Sequence, residues 1–513
     1  MQSPSGRLNP WIWVFLGLGF FWCFYVMSPW LLFINSDSAV PYQQATSVWR
    51  TQDLYYWGTT RMGMLYEVFW KLTRIRSAEW FFFGHVIFVF IGFPFWLATL
   101  SKKTTKATFL LFFIPITSNG ISFYLTPAQP YGVVFALHGF FYYTLLKTKE
   151  SHLKAFLLAV LIGTLWIQHE LGGLIALGVC CSYYFPTLFQ LKNRRAWTFW
   201  GTFLFSLLIC YAFKRESRKW IATENHYELN TLPAIFNLLW LTVRDGHWWV
   251  SIRRLGGHAL TVGMFFYGVE ILKRKKNRAF FEDYGQTAFL MAVASIVAVH
   301  LSTWFVNNNS DPRYFSVALP TLIWSFMLKY ESQLEGKRFR KAFLLLVCWI
   351  PLLQCQDPSL WANPWVRPYL RVSVDPTSGV FKDSVRECPH DDLERATAEI
   401  SRFPLLEKFS ITRHSEACLE LTRQKTLALA RAVQTSGCAG YIDDYWNSHI
   451  LAAATSGEIL TSSGTHIRNP ELFQEVLKAR PLCIMPRSNL APELYTSGLH
   501  CEKTPYGFLI CRD

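Results

Sequence analysis

The residues of this chain that could do chemistry begin with an aspartate at the end of a long apolar run. Asp37 is the first acidic residue of the sequence, and it opens a polar segment, 35–78, that also contains Asp53. The same segment carries the aromatic and glycine-rich string "YYWGTTRMG", which includes Tyr56 and Arg61. A carboxylate in such a place can remove a proton from a hydroxyl group, and an arginine can neutralise a phosphate. The segment therefore predicts acid–base and anion-binding chemistry beside a membrane.

Two further strings place polar residues next to apolar runs. In "WIQHELGG", His169 and Glu170 stand where an acid is costly and usually faces a wet cavity, although a solvated loop pair would also fit. In "VNNNSDPRYFSVALP", Arg313 and Tyr314 could bind a phosphate or could anchor a helix end at the interface. His169 and Glu170 together with an aspartate permit a divalent metal without requiring one, so no cofactor is assigned.

These residues are set in a chain with the composition of a polytopic α-helical membrane protein. Of its 513 residues, 51% are hydrophobic and only 17% are charged, whereas about a quarter of a soluble chain is charged. Apolar runs approaching 20 residues predict about eleven transmembrane helices. They are 11–33, 79–100, 107–125, 131–146, 153–168, 171–190, 197–213, 258–272, 286–305, 314–329 and 342–355. The polar interruption "QHE" at Gln168–Glu170 favours two helices over one broken helix.

Basic residues set the orientation of the predicted helices. Lysine and arginine recur in five loops on one side, while the short turns near Pro127 and Asn308 on the other side are almost without them. By the positive-inside rule, the N-terminus is cytoplasmic, and the segments 35–78, 214–257 and 306–315 lie outside, as does everything after Gln356. Much of the net charge of +15 is explained by this orientation, so we expect membrane lipids and not nucleic acid as partners.

The sequence divides into a membrane part, 1–355, which includes the first outer loop, and a C-terminal tail, 356–513. Apolar strings that alternate between strand and helix patterns predict an α/β domain with a small, mainly parallel sheet, without a nucleotide-binding loop. Six cysteines lie in the tail: Cys388, Cys418, Cys438, Cys483, Cys501 and Cys511. In an external domain they could form up to three disulfides in any of 15 pairings, whereas a cytosolic tail would keep them as thiols.

Taken together, these strings resemble the GT-C superfamily of polytopic glycosyltransferases, which includes mannosyltransferases and aminoarabinose transferases. The resemblance rests on the acid after the first span, the "YYWGTTRMG" string, the "RYFSVALP" string at a late helix start, and a helix bundle with an outer C-terminal domain. It covers about residues 10–355. Enzymes of this superfamily take a sugar from a polyprenyl-phosphate carrier on the outer face of a membrane.

The resemblance implies a catalytic role for Asp37, as the base that deprotonates the acceptor. Arg61 and Arg313 would neutralise the departing phosphate, while Asp53, Tyr56, His169, Glu170 and Tyr314 are the further candidates for substrate binding. The loop lacks an Asp-x-Asp pair, and Ser38 follows Asp37 where protein mannosyltransferases have an Asp-Glu pair. These departures argue against a protein acceptor. They favour an envelope glycan or lipid, such as lipopolysaccharide, at a bacterial inner membrane with the tail in the periplasm.

Two alternatives from other classes remain open at this level. A transporter or flippase of lipid-linked glycans would share the apolar bundle and the basic residues but would not need the Asp37 carboxylate. A non-catalytic membrane assembly protein would depend on its tail. An inverting glycosyltransferase is the prediction that uses all the candidate residues.

Overall fold

The computed structural model describes about half of the chain. The described residues are 36–102 (without 50 and 58–61), 131–218 (without 189–191), 284–300, 317–329 and 429–512 (without 444, 466, 487–499 and 506), with short pieces at 105–106, 109, 192–193, 331, 373–374 and 381–382.

Seven of the predicted spans coincide with helices. These are α3 (Ala78–Thr99), α4 (Tyr131–Lys147), α5 (His152–Gln168), α6 (Glu170–Leu188), α7 (Arg194–Arg218), α8 (Tyr284–His300) and α9 (Leu319–Lys329). The predicted spans 11–33, 107–125, 258–272 and 342–355 lie outside the described residues. Within the described part, the stretches Trp80–Thr99 and Arg194–Ser217 are long and apolar enough to cross a bilayer, and His152–Gln168 and Glu170–Tyr183 are shorter apolar helices.

The surface of α7 shows why these helices suit a membrane. Leu204, Phe205 and Leu208 are 56%, 63% and 66% exposed, although all three are large apolar residues. Exposed apolar faces of this size disfavour contact with water and suit contact with lipid. The helix also continues to Arg218, five residues beyond the predicted end, so Lys214 belongs to the helix and not to an outer loop.

The break between α5 and α6 lies where the polar string predicts it. Helix α5 ends at Gln168, His169 is in extended conformation with φ −164°, and α6 starts at Glu170. The prediction of two helices is thereby confirmed. An extended residue between two helices leaves backbone groups available to bond another segment.

The first outer loop folds into two helices joined by a short 3-10 turn. The two helices are α1 (Ser36–Thr46) and α2 (Leu65–Thr73), and Thr51–Leu54 forms the turn between them. On α2, Tyr66, Glu67 and Trp70 are buried, while Phe69 and Leu72 are exposed on the opposite side. This division suits a helix at a membrane interface.

The tail is an α/β domain, as predicted. Two short strands, β1 (Ser373–Val374) and β2 (Phe381–Lys382), pair with each other apart from the main sheet. The elements that follow are β3 (Gly440–Asp443), α10 (Tyr445–Ala454), β4 (Leu460–Ser463), α11 (Pro470–Lys478), β5 (Leu482–Ile484), β6 (His500–Lys503) and β7 (Leu509–Arg512). The five-stranded sheet has the order β4-β3-β5-β7-β6. Strands β4, β3 and β5 are parallel, and β7 and β6 add antiparallel pairs at one side.

Four of the six tail cysteines form disulfides. Cys438 pairs with Cys483, and Cys501 pairs with Cys511 across two neighbouring strands. Cys388 and Cys418 lie outside the described residues. Disulfides persist in oxidising compartments, which supports an extracytoplasmic tail.

Helix α1 is packed between the bundle and the tail. Its residues Ala39, Tyr42 and Ala45 belong to the large apolar cluster of the membrane helices, which also takes in Ile450 and Ala453 of α10. Its neighbouring Val40 belongs to a second cluster, shared with β3, α11 and β5 of the tail. One helix thus carries apolar contacts to both parts of the molecule.

Candidate active site

Asp37 lies in the first turn of α1, directly after the predicted first span. The backbone of Asp37 is described, and its side chain lies outside the described set. Pro41 stands in the same helix and has no N–H to offer to the carbonyl of Asp37. The turn that carries Asp37 therefore lacks one of its helical hydrogen bonds.

Gln44 fastens the remainder of the outer loop to α1. Its Nε2 donates to the carbonyl oxygens of Asp53 and Tyr55, each at 2.7 Å, and its side chain is fully buried. Buried polar groups are stabilised only when they are hydrogen-bonded. Both bonds therefore hold the 3-10 turn and the start of the glycine-rich string against the helix of Asp37.

The glycine-rich string returns and docks on the break between α5 and α6. Tyr55 pairs with Gly63 in an antiparallel bridge, and Met62 pairs in the same way with His169. The amide of Gly63 donates to the carbonyl of Gln168 at 2.9 Å. The predicted sites "YYWGTTRMG" and "WIQHELGG" are thus in direct backbone contact.

Gly63 is the residue that permits this close approach. A β-carbon at this position would lie 2.4 Å from the carbonyl oxygen of Ile167 and 2.7 Å from Cα of Gln168. Real contacts at these distances do not occur, so any other residue would push the loop away from the break. The Gly-x-x-Arg-x-Gly pattern therefore has a physical reason at its last glycine.

Polar side chains of three segments meet beside the docked loop. Glu170 at the start of α6 forms an ion pair with Lys214 near the end of α7. The hydroxyl of Tyr55 lies 3.1 Å from Sγ of Cys210, one turn before Lys214. This group, Tyr55, His169, Glu170, Cys210 and Lys214, is called the junction below.

Asp53 is buried in the loop, where its side chain bonds to two loop residues. One oxygen accepts from Nε1 of Trp57 at 2.8 Å, and the other lies 2.5 Å from Nζ of Lys71. Asp53 is 0% exposed. These contacts tie the 3-10 turn to α2, and they give Asp53 a structural task whether or not it also binds substrate.

Tyr56 faces the tail. Its hydroxyl lies 2.8 Å from the hydroxyl of Tyr445, and its ring is buried in the cluster that joins the loop to β3 and α11. The loop and the tail are therefore continuous at this point. A substrate-binding role for Tyr56 stays a prediction.

Glu67 on α2 is a buried acid that was not predicted as a site residue from the sequence. Its side chain is 2% exposed, and burial raises its pKa to about 8. A carboxylic acid with such a pKa is largely neutral at pH 7. Glu67 precedes Lys71 by one turn on the same helix, so the ammonium group that pairs with Asp53 has a protonated neighbour and not a second anion.

The structure thus brings together some of the predicted site residues and leaves others untested. His169 and Glu170 meet the loop at the junction, while Asp53 and Tyr56 lie inside the loop and against the tail. Arg61, Arg313 and Tyr314 fall outside the described residues. Within the described part of the chain, no group of three or more His, Cys, Asp or Glu side chains is placed to hold a metal ion, and a divalent metal elsewhere stays a prediction.

The roles of several residues in this arrangement were not predicted from the sequence. Gln43 and Gln44 are an ordinary polar pair in a helix, and only their lack of exposure marks them. Lys71 reads as a solvated charge on an amphipathic helix. Lys214 was assigned to a basic outer segment. Its position could have been predicted by extending the helix beyond residue 213, because Lys214 then lies one turn after Cys210.

The bundle, the loop helices and the α/β tail form a fold that is also found in a solved membrane-enzyme structure. The fold is similar to that of ArnT from Cupriavidus metallidurans in its crystal structure bound to undecaprenyl phosphate, with a TM-score of 0.56 and 12% sequence identity over 98% of each chain. The apo crystal structure of that ArnT gives a TM-score of 0.48 at 12% identity, over 96% of this chain and 98% of the other. No protein-family model and no curated protein matches this sequence.

Proposed function

We propose that this chain is an integral membrane glycosyltransferase that moves a sugar from a polyprenyl-phosphate donor to an envelope glycan or lipid. The observation that carries the proposal is the shared fold, over 98% of both chains, with a protein crystallised with undecaprenyl phosphate. In this fold the first acid of the chain starts a helix that the bundle and the tail hold from two sides. The two tail disulfides support transfer on the periplasmic face of a bacterial inner membrane.

The proposed reaction is a single displacement at the anomeric carbon of the donor. The acceptor hydroxyl oxygen forms the new bond to that carbon, and the bond from the carbon to the phosphate oxygen breaks with its electron pair. Asp37 takes the hydroxyl proton, and polyprenyl phosphate leaves. Attack opposite the leaving group inverts the anomeric configuration.

Cations lower the barrier by meeting the charge that develops on the phosphate. Arg61 and Arg313 are proposed for this task. Lys214 joins them as a candidate because it lies at the junction against which the segment of Arg61 docks. Its partner Glu170 would orient the ammonium group until the donor enters.

The first test compares wild type with Asp37→Asn at equal expression, by mass spectrometry of surface glycans and lipid-linked sugars. The expected result is loss of one sugar and build-up of its polyprenyl-phosphate donor. Glu458→Gln, which neutralises an exposed acid of the tail, is the matched control and should leave both pools at wild-type levels. Unchanged glycans in the Asp37→Asn cells would refute the base, and a purified protein that moves the lipid-linked sugar across vesicles without cleaving it would instead identify a transporter.

A further inference from the structure

The contact between α1 and the tail contains one buried polar side chain of α1 that bonds to two tail elements. Gln43 is 6% exposed and donates from Nε2 to the carbonyl oxygen of Thr461 at 2.6 Å. Its Oε1 lies 2.8 Å from Nδ1 of His449, which is 2% exposed. Thr461 is on β4 and His449 is on α10, so one glutamine joins α1 to a strand and a helix of the other domain.

The chemistry of the partners fixes the direction of each bond. A carbonyl oxygen only accepts, so the amide group of Gln43 must turn its N–H toward Thr461. Its oxygen then faces His449, and Nδ1 of His449 must carry the hydrogen that it donates. The Gln43 amide, the Thr461 carbonyl and the His449 ring can therefore form these two bonds in one orientation only. A rotation of α1 about its axis would break both bonds.

His449 is neutral in this arrangement. Burial, together with the nearby Arg468 guanidinium, lowers its pKa to about 3. A neutral imidazole with its hydrogen on Nδ1 matches the donor that Gln43 needs. The hydrogen bond from His449 to Gln43 therefore persists at pH values well above 3.

Gln43 stands six residues after Asp37, about 9 Å along the helix. A side-chain tip lies about 5 to 6 Å from a helix axis, so a rotation of about 10° moves it by about 1 Å. A misplacement of about 1 Å can reduce a reaction rate on the order of 100-fold. Because Pro41 weakens the internal hydrogen bonding around Asp37, the orientation of its turn depends on such external bonds.

We propose that Gln43 and His449 are positioning residues, through which the tail fixes the rotation of α1 and hence the place of Asp37. The inference rests on the proposed function, since it assigns a task to the tail within the same reaction. It also gives the C-terminal domain a role that does not require it to touch the substrate.

The test measures kcat and donor KM of the full-length protein in detergent, together with amide hydrogen exchange of residues 36–46. Gln43→Leu and His449→Phe remove the bonds and keep the bulk, and each should lower kcat about 30- to 100-fold with KM within about twofold. His449→Asn retains an N–H near the position of Nδ1 and should recover kcat to within about fivefold of wild type. Exchange of α1 should quicken in Gln43→Leu.

Thr455→Val is the matched control, because it removes a buried hydrogen bond from Thr455, just after α10, to the carbonyl of Leu451 in that helix. It should leave kcat within about twofold and the exchange of α1 unchanged. In an Asp37→Asn background, Gln43→Leu should lower the residual rate by less than about threefold, because the residue acts through Asp37.

The positioning role alone would be overturned by sugar transfer by Gln43→Leu at the wild-type kcat, or by an equal loss of kcat in Thr455→Val. A full additional loss in the Asp37→Asn background would do the same. A wild-type protein that transfers no sugar from any polyprenyl-phosphate donor would overturn the proposed function, and the positioning role with it.

Discussion

Removing the ammonium group of Lys71 should open the first outer loop, because it takes a counter-charge away from a fully buried carboxylate. Asp53 is 0% exposed, and the Lys71 side chain is 7% exposed. Breaking such a pair from one side costs about 3 to 5 kcal/mol. In Lys71→Met, Asp53 keeps its bond from Trp57, which places the expected loss at about 3 kcal/mol.

Hydrogen exchange of residues 51–57 measures this loss locally, since the opening concerns one loop and not the whole protein. A loss of about 3 kcal/mol corresponds to exchange faster by about 100-fold in Lys71→Met. Asp53→Asn should have a smaller effect, because an amide needs no counter-charge and its oxygen can still accept a hydrogen bond. The double variant should be more protected than Lys71→Met alone, since it no longer buries a carboxylate that has lost the Lys71 ammonium group.

Two results would refute this reasoning. Protection in Lys71→Met within about threefold of wild type would mean that the buried charge is not costly there. A double variant no better than Lys71→Met would mean that the packing of the lysine stem, and not its charge, holds the loop. Asp53→Asn also separates a structural role of this acid from a role in substrate binding. An unchanged donor KM would show that its role is structural only.

Three further predictions concern single residues of the loop and the junction. The pKa of Glu67 is about 8 in the folded protein, above its unfolded value, so the folded state binds more protons. Stability therefore falls as pH rises from about 4.5 to 8. Glu67→Gln should remove that fall and should raise the stability at pH 8, measured by thermal unfolding, by on the order of 3 kcal/mol. Gly63→Ala should cost about 1 to 3 kcal/mol and most of the activity, because its β-carbon meets the α5 backbone; normal activity would show that the loop need not dock. Lys214→Gln should change stability by less than about 1 kcal/mol, because the Glu170–Lys214 pair is partly exposed, but should raise donor KM about tenfold; an unchanged KM would remove Lys214 from the phosphate site.

The membrane helices could be predicted because a lipid environment leaves the chain few choices. A backbone in hydrocarbon must satisfy its hydrogen bonds internally, so apolar runs become helices, and α4 and α5 start and end within one residue of the predicted bounds. The break at His169 was predictable for the same reason, because a histidine and a glutamate together are costly inside a span.

The contacts that assemble the site could not be predicted in this way. Gln43 and Thr461 are 418 residues apart in the chain, and no local pattern in either segment refers to the other. Strand β6 was missed because "HCEK" is polar and exposed at every position, so it lacks the alternation that marks a half-buried strand. Its place beside β7 comes from pairing, including the bridge from Cys501 to Cys511.

The boundary at residue 355 divides the sequence but does not divide the apolar core. Val40, Trp57 and Met64 of the outer loop share one buried cluster with Phe473 and Ile484 of the tail. Apolar surface that is buried only when both segments are present favours their association, and it would be exposed in either one alone. The tail therefore contributes to the folded state of the loop itself. The hydrogen bonds of Gln43 therefore need to contribute little to the stability of this association, because apolar burial already holds the two parts together. Their directional geometry can instead select one orientation of α1.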